Sequence, residues 1–140
     1  MDNFPYIVAV DFDGTLCENK WPDIGIPNTE LIEYLKKLRE TGTRVILWTC
    51  RTDEALDKAV EWCKEQGLEF DEVNANIPEV IALFGGESRK IYANLYIDDN
   101  AISVRKFVKP WQTKSVEGIR RKIEVLDKYI KKGEINYGKR

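Results

Sequence analysis

Histidine is absent from all 140 residues. Without an imidazole, neither Ser-His-Asp nor Cys-His machinery can operate, and no histidine can act as general base. Acid–base work near neutral pH is left to carboxylates, lysine, cysteine or a bound metal. Cysteine is scarce as well: Cys17, Cys50 and Cys63 are an odd number without metal-ligand spacing. That argues against zinc and points to a reducing cytoplasm. No run approaches the roughly 18 to 20 apolar residues of a membrane helix, so no membrane association is expected. Asp2, Asp11 and Asp13 flank or interrupt the apolar stretch near the N-terminus, which argues against a signal peptide. Repeats, low-complexity segments and linkers are missing too, so a single domain over 1–140 is expected.

What is present reads as a folded globule, with 43% hydrophobic residues and four tryptophans. The net charge of −2 is unevenly spread. Residues 1–104 hold 10 Lys+Arg against 20 Asp+Glu, and residues 105–140 hold 12 against 4. A basic segment of this kind can meet nucleic acid, an anionic substrate or the acidic part of its own chain, but a solvated helix face accounts for it best.

Apolar runs alternate with amphipathic segments. Tyr6-Ile7-Val8-Ala9-Val10 reads as a short buried strand, and a loop with Trp21, Pro22, Gly25 and Pro27 follows. Asn28 caps a predicted helix through residue 39, with Leu31, Ile32, Leu35 and Leu38 on one face and Gly42 beyond its end. A second strand is expected over 44–48. Thr52 or Asp53 then opens a helix that Gly67 closes. A short strand over 70–73, a helix over 78–84 and a strand over 93–97 complete the core, about 6–105. A basic helix is predicted over about 115–132. This order implies βαβ units: an α/β, doubly wound, Rossmann-like three-layer sandwich with a mostly parallel sheet.

In such a sheet the carboxyl ends of the strands share one edge, where ligands bind. Asp11 and Asp13, Thr49, and Asp98 and Asp99 each follow an apolar strand directly. Crowded acids at a buried edge are costly unless a cation or a shared proton relieves their repulsion. Asp13-Gly14 alone is also a common turn pair.

The string Asp11-Phe12-Asp13-Gly14-Thr15 behind a strand resembles the first motif of the haloacid dehalogenase-like superfamily, mostly magnesium-dependent phosphatases. Val45 to Thr49 resembles its second motif and Leu95 to Asp99 its fourth, so the likeness covers residues 6 to about 100. Lys90 fits the third motif more loosely, with Arg89 and Arg51 as competitors. The resemblance implies an enzyme that hydrolyses a phosphate monoester, with Mg2+ as cofactor. It implies that Asp11 attacks phosphorus to form an aspartyl-phosphate, and that Asp13 protonates the leaving oxygen and then activates water. Thr49 and Lys90 hold the phosphoryl group, and Gly14, Thr15, Cys50, Arg51 and Trp21 line the substrate. Asp11, Asp98 and the backbone carbonyl of Asp13 supply the metal's oxygen ligands, and Asp99 is either a further metal-site residue behind them or a helix cap without a catalytic role. Asp13 argues for phosphoryl transfer over dehalogenation.

The intervals between motifs leave no room for a cap domain. The segment from Glu18 to Pro27, with Trp21-Pro22, is expected to cover the site locally. The substrate is then a small phosphate ester or a larger phosphorylated molecule, with a homo-oligomer possible. Two alternatives stand beside this reading. One is a phosphatase for nucleotides or nucleic-acid ends, which the acidic balance around the site disfavours for duplexes. The other is a non-catalytic phospho-ligand-binding or phospho-acceptor domain.

Overall fold

The structure, a computed structural model, describes residues 4–101. The chain divides after Asn100 into two units. The helix expected over 115–132 lies outside the described residues, and the single domain expected over 1–140 extends beyond them.

Among the described residues nine elements follow one another: β1 (Ile7–Val10), β2 (Cys17–Lys20), β3 (Asp23–Pro27), α1 (Thr29–Glu40), β4 (Arg44–Leu47), α2 (Asp53–Glu65), β5 (Glu72–Val73), α3 (Pro78–Phe84) and β6 (Leu95–Ile97). A four-stranded sheet runs in the order β5-β4-β1-β6, with every pairing parallel. β1 is buried throughout because it is an interior strand covered on both faces. Val8, Val10 and Phe12 pack with Ile32 and Leu35 of α1 and Ala59 and Cys63 of α2. Ile7 and Ala9 point the other way, toward Ile77, Val80 of α3, Ile91 and Ala93. The period of two along β1 therefore separates two cores, and the α/β sandwich is the expected one. No inserted domain stands between β1 and β6 among the described residues.

The helix boundaries follow their punctuation. The Asn28 side chain accepts from Leu31 N–H at the start of α1, Pro78 stands at the first turn of α3, and left-handed Gly85 ends α3. β5 and β6 each begin two residues later than predicted, for one reason. Asp71 Oδ2 accepts Val45 N–H at 2.7 Å, and Asn94 Oδ1 accepts Ile7 N–H at 2.8 Å. Side chains thus replace strand carbonyls ahead of β5 and β6.

The segment expected as a loop over 18–27 is instead an antiparallel hairpin, β2 with β3, turning at Trp21-Pro22. Its sequence hid this because Pro22, Gly25 and Pro27 break the apolar alternation that marks a strand. Gly25 is required there: a Cβ would lie 2.6 Å from Glu18 O across the ribbon.

Candidate functional site

β1 has β4 on one side and β6 on the other, so the strand order reverses between β1 and β6. The crevice beyond the carboxyl ends of those two strands is the place where such sheets bind ligands. Asp11 follows β1 there, its N–H donating to Ile97 O of β6 at 2.9 Å. Asp98 and Asp99 follow β6. Carboxylate oxygens of Asp11, Asp98 and Asp99 all lie within 4.8 Å of one another.

The electrostatics of this cluster are unfavourable. Burial first, and then the Asp98 charge, push the Asp11 carboxyl up to about 6. Hydrogen bonds from Thr15 and from the Phe12 backbone oppose the shift. Thr15 Oγ1 donates to Asp11 Oδ2 at 3.1 Å, so that hydroxyl is committed to the first acid. No lysine or arginine forms an ion pair with Asp11, Asp98 or Asp99 among the described residues. Three convergent oxygen donors without an ion-pair partner among the described residues could hold a hard divalent cation such as Mg2+. Gly14 closes one side of the cluster: its φ is +81°, and a Cβ there would overlap Asp99 Oδ2.

Asp13 is turned away from this cluster. Its carboxylate forms a two-point ion pair with Arg51, Nε to Oδ2 at 2.9 Å and Nη2 to Oδ1 at 2.8 Å. Its side chain is therefore not a fourth acid of the cluster. Arg51 is buried, and its other three N–H groups go to carbonyls: Pro22 O at 3.1 Å, Ala55 O at 3.2 Å and Asp23 O at 2.9 Å. The expectation that Arg51 contacts substrate is corrected here, because five donors meet five acceptors inside the protein. The hydrogen bond with Asp13 is the main cause that raises its guanidinium still further.

Thr49 lies two residues beyond the end of β4. Its N–H donates to Asn74 Oδ1 at 2.8 Å, and its Oγ1 accepts Arg51 N–H at 3.1 Å. Cys50 is exposed on the same loop. Asn74 was not anticipated; φ of +53° at an asparagine after a short strand is its only signal. Trp21 stands at the hairpin turn, 64% exposed, beside the Pro22 carbonyl that Arg51 holds.

Lys90 is not brought to the acids. Its Nζ lies 5.4 Å from the centre of the Tyr96 ring. With Phe84, Tyr92 and Tyr96 it lines a groove of about 560 Å³ that contains none of Asp11, Asp13, Asp98 and Asp99. Tyr96 pairs with Ala9 in the sheet, which places that groove on the α3 face. Arg89 is exposed and makes no ion pair among the described residues.

No family model matches the chain, and no curated protein matches it. Among solved structures, the conserved protein coded by a locus from Bacteroides thetaiotaomicron is similar, with a TM-score of 0.63 and 43% identity. The similarity covers 71% of this chain and 79% of that one.

Proposed function

We propose that this chain, which belongs to the same family as that conserved Bacteroides thetaiotaomicron protein, is a magnesium-dependent phosphatase acting on phosphate monoesters. The reading extends the resemblance to the haloacid dehalogenase-like superfamily. One observation carries it: Asp11, Asp98 and Asp99 converge within 4.8 Å at the sheet's switch point, with a further acid, Asp13, held apart from them.

The division of labour follows from those surroundings. Asp11, Asp98 and Asp99 would hold Mg2+, which supplies charge neutralisation for an anionic ester meeting an anionic nucleophile. An oxygen of Asp11 attacks phosphorus, and the bond from phosphorus to the leaving oxygen breaks. That oxygen takes a proton from Asp13. Water then attacks the phosphorylated Asp11, giving its proton to Asp13, and phosphate leaves with Asp11 restored. Thr49 is the hydroxyl available at the end of β4 for a phosphoryl oxygen. The exposed Trp21 favours a leaving group with a flat or apolar face, nucleotides among them. All three cysteines are free, which fits a reducing cytoplasm.

A second reading has its own support. Lys90 stands over Tyr96 instead of the acids, and Asp13 is engaged by Arg51. Both fit a domain that binds a phosphorylated ligand without cleaving it. Phosphate release from sugar phosphates, nucleotides, phospho-amino acids and phosphorylated oligonucleotides, with Mg2+ or EDTA, separates the two. Release that needs Mg2+ and vanishes in Asp11→Asn is the outcome expected of the enzyme. Mg2+ binding without release from any compound selects the binding domain.

A further inference from the structure

We infer that Arg51 is a positioning residue: it clamps the β2–β3 hairpin to Asp13, so that proton transfer to the leaving group depends on the seat of the hairpin. The inference rests on the phosphatase reading for its catalytic half. Its structural half stands on the contacts alone.

The Arg51 side chain is fully buried, while Asp13 keeps 18% of its side chain exposed. The guanidinium carbon lies 4.9 Å from the centre of the Phe12 ring. Two of its N–H groups reach the hairpin turn through Pro22 O and Asp23 O, and one reaches Ala55 O in the first turn of α2. These carbonyls are neutral acceptors, so their hold on the guanidinium is the same whether Asp13 is charged or protonated. The two-point pair fixes the plane of the Asp13 carboxylate. A carboxylate offers about four lone-pair sites, and the pair occupies two. One site on each oxygen remains free to carry a proton.

The same contacts locate the leaving group. Asp13 must lie within hydrogen-bond reach of the leaving oxygen. The turn residues Pro22 and Asp23 share the guanidinium with Asp13, and Trp21 adjoins them. The hairpin turn is therefore the wall beside the leaving group, and Arg51 sets its distance from the proton donor. Lysine cannot replace this arrangement, because an ammonium presents three donors at one point instead of five in a planar fork.

The test uses the full chain as Arg51→Lys and Asp13→Asn, with two independent measurements. The first is amide hydrogen exchange. In Arg51→Lys, exchange over residues 17–27 should quicken by about tenfold or more while β1 and β4 keep their protection. In Asp13→Asn the hairpin should stay within about twofold of wild type, since the carbonyl contacts persist. The second is leaving-group release in a single turnover, which precedes the water step, from 4-nitrophenyl phosphate, whose leaving group departs without a proton, against 4-nitrobenzyl phosphate, whose alkoxide needs one. Arg51→Lys should slow that release from the benzyl ester by about a hundredfold, with the phenyl ester within about threefold.

Equal losses on both esters, or an unchanged hairpin in Arg51→Lys, overturns the clamp. A hairpin that opens as widely in Asp13→Asn overturns it too, and serves where Arg51→Lys does not fold. A wild type inert toward both esters, with hairpin exchange still raised in Arg51→Lys, refutes the phosphatase reading and the proton-transfer half. The clamp itself survives that outcome.

Discussion

Asp11 carries the most consequential shift in the molecule, and its sign can be followed through to stability. Burial, and then the charge of Asp98, raises its carboxyl from 3.8 to about 6. Between those values the unfolded chain has released the proton while the folded chain keeps it. Metal-free stability therefore falls as pH rises through that window and levels off above it. Thermal midpoints in EDTA should show this decline in wild type, and Asp11→Asn should remove most of it. A flat difference between the two proteins from pH 4 to 7 would contradict the buried, crowded environment. Gly14 gives a second test at this scale. Alanine there meets a left-handed backbone, costing about 1 to 2 kcal/mol, and its Cβ displaces the Asp99 carboxylate. Gly14→Ala should lower both the thermal midpoint and the affinity for Mg2+, the latter measured by calorimetry. An unchanged affinity would remove Asp99 from the metal's ligands.

Among the elements, the start of α1 is hydrogen-bonded to the site loop through Asn28. Asn28 Oδ1 accepts Leu31 N–H at 3.3 Å while Asn28 Nδ2 donates to Thr15 O at 3.0 Å. Its replacement by alanine removes both a helix cap and a brace on the loop that holds Asp11 and Asp13. Urea denaturation of Asn28→Ala should show a loss of about 1 to 2 kcal/mol. A loss well under half of that would mean that water replaces the cap. The cap was legible in the sequence because asparagine before an amphipathic run has one dominant use, and the strands at β1 and β4 were legible because interior parallel strands are continuously apolar. The hairpin was not, since a two-stranded ribbon held by its backbone and by Arg51 carries no apolar pattern to read. The acids of the cluster could be placed from strand order. The partners of Asp13 and Arg51 could not, because their sequence separation of 38 spans a hairpin, α1 and β4, which spacing alone does not orient. Lys90 failed for a related reason: adjacency to β6 in sequence places a residue near the strand but leaves open which face and which end it serves.

For the molecule as a whole, the acids join distant parts of the chain. Asp11 stands at the end of β1, and Asp98 and Asp99 at the end of β6, with β2, β3, α1, β4, α2, β5 and α3 between them. Unfolding separates these carboxylates, so a divalent cation held by all three binds the folded chain and not the unfolded one. Binding of that kind stabilises by RT ln(1 + [L]/Kd), about 2.7 kcal/mol at a hundredfold excess over Kd. Mg2+ should therefore raise the thermal midpoint in a saturable way, while NaCl at matched ionic strength screens the acids and raises it less. Asp98→Asn separates a metal site from a merely crowded surface. It relieves the repulsion on Asp11. The variant should then exceed wild type in EDTA and gain little from Mg2+, so that the two midpoints cross as the metal is titrated in. Parallel curves, with Mg2+ raising both proteins equally, would place any bound cation elsewhere and leave the three carboxylates without a shared task.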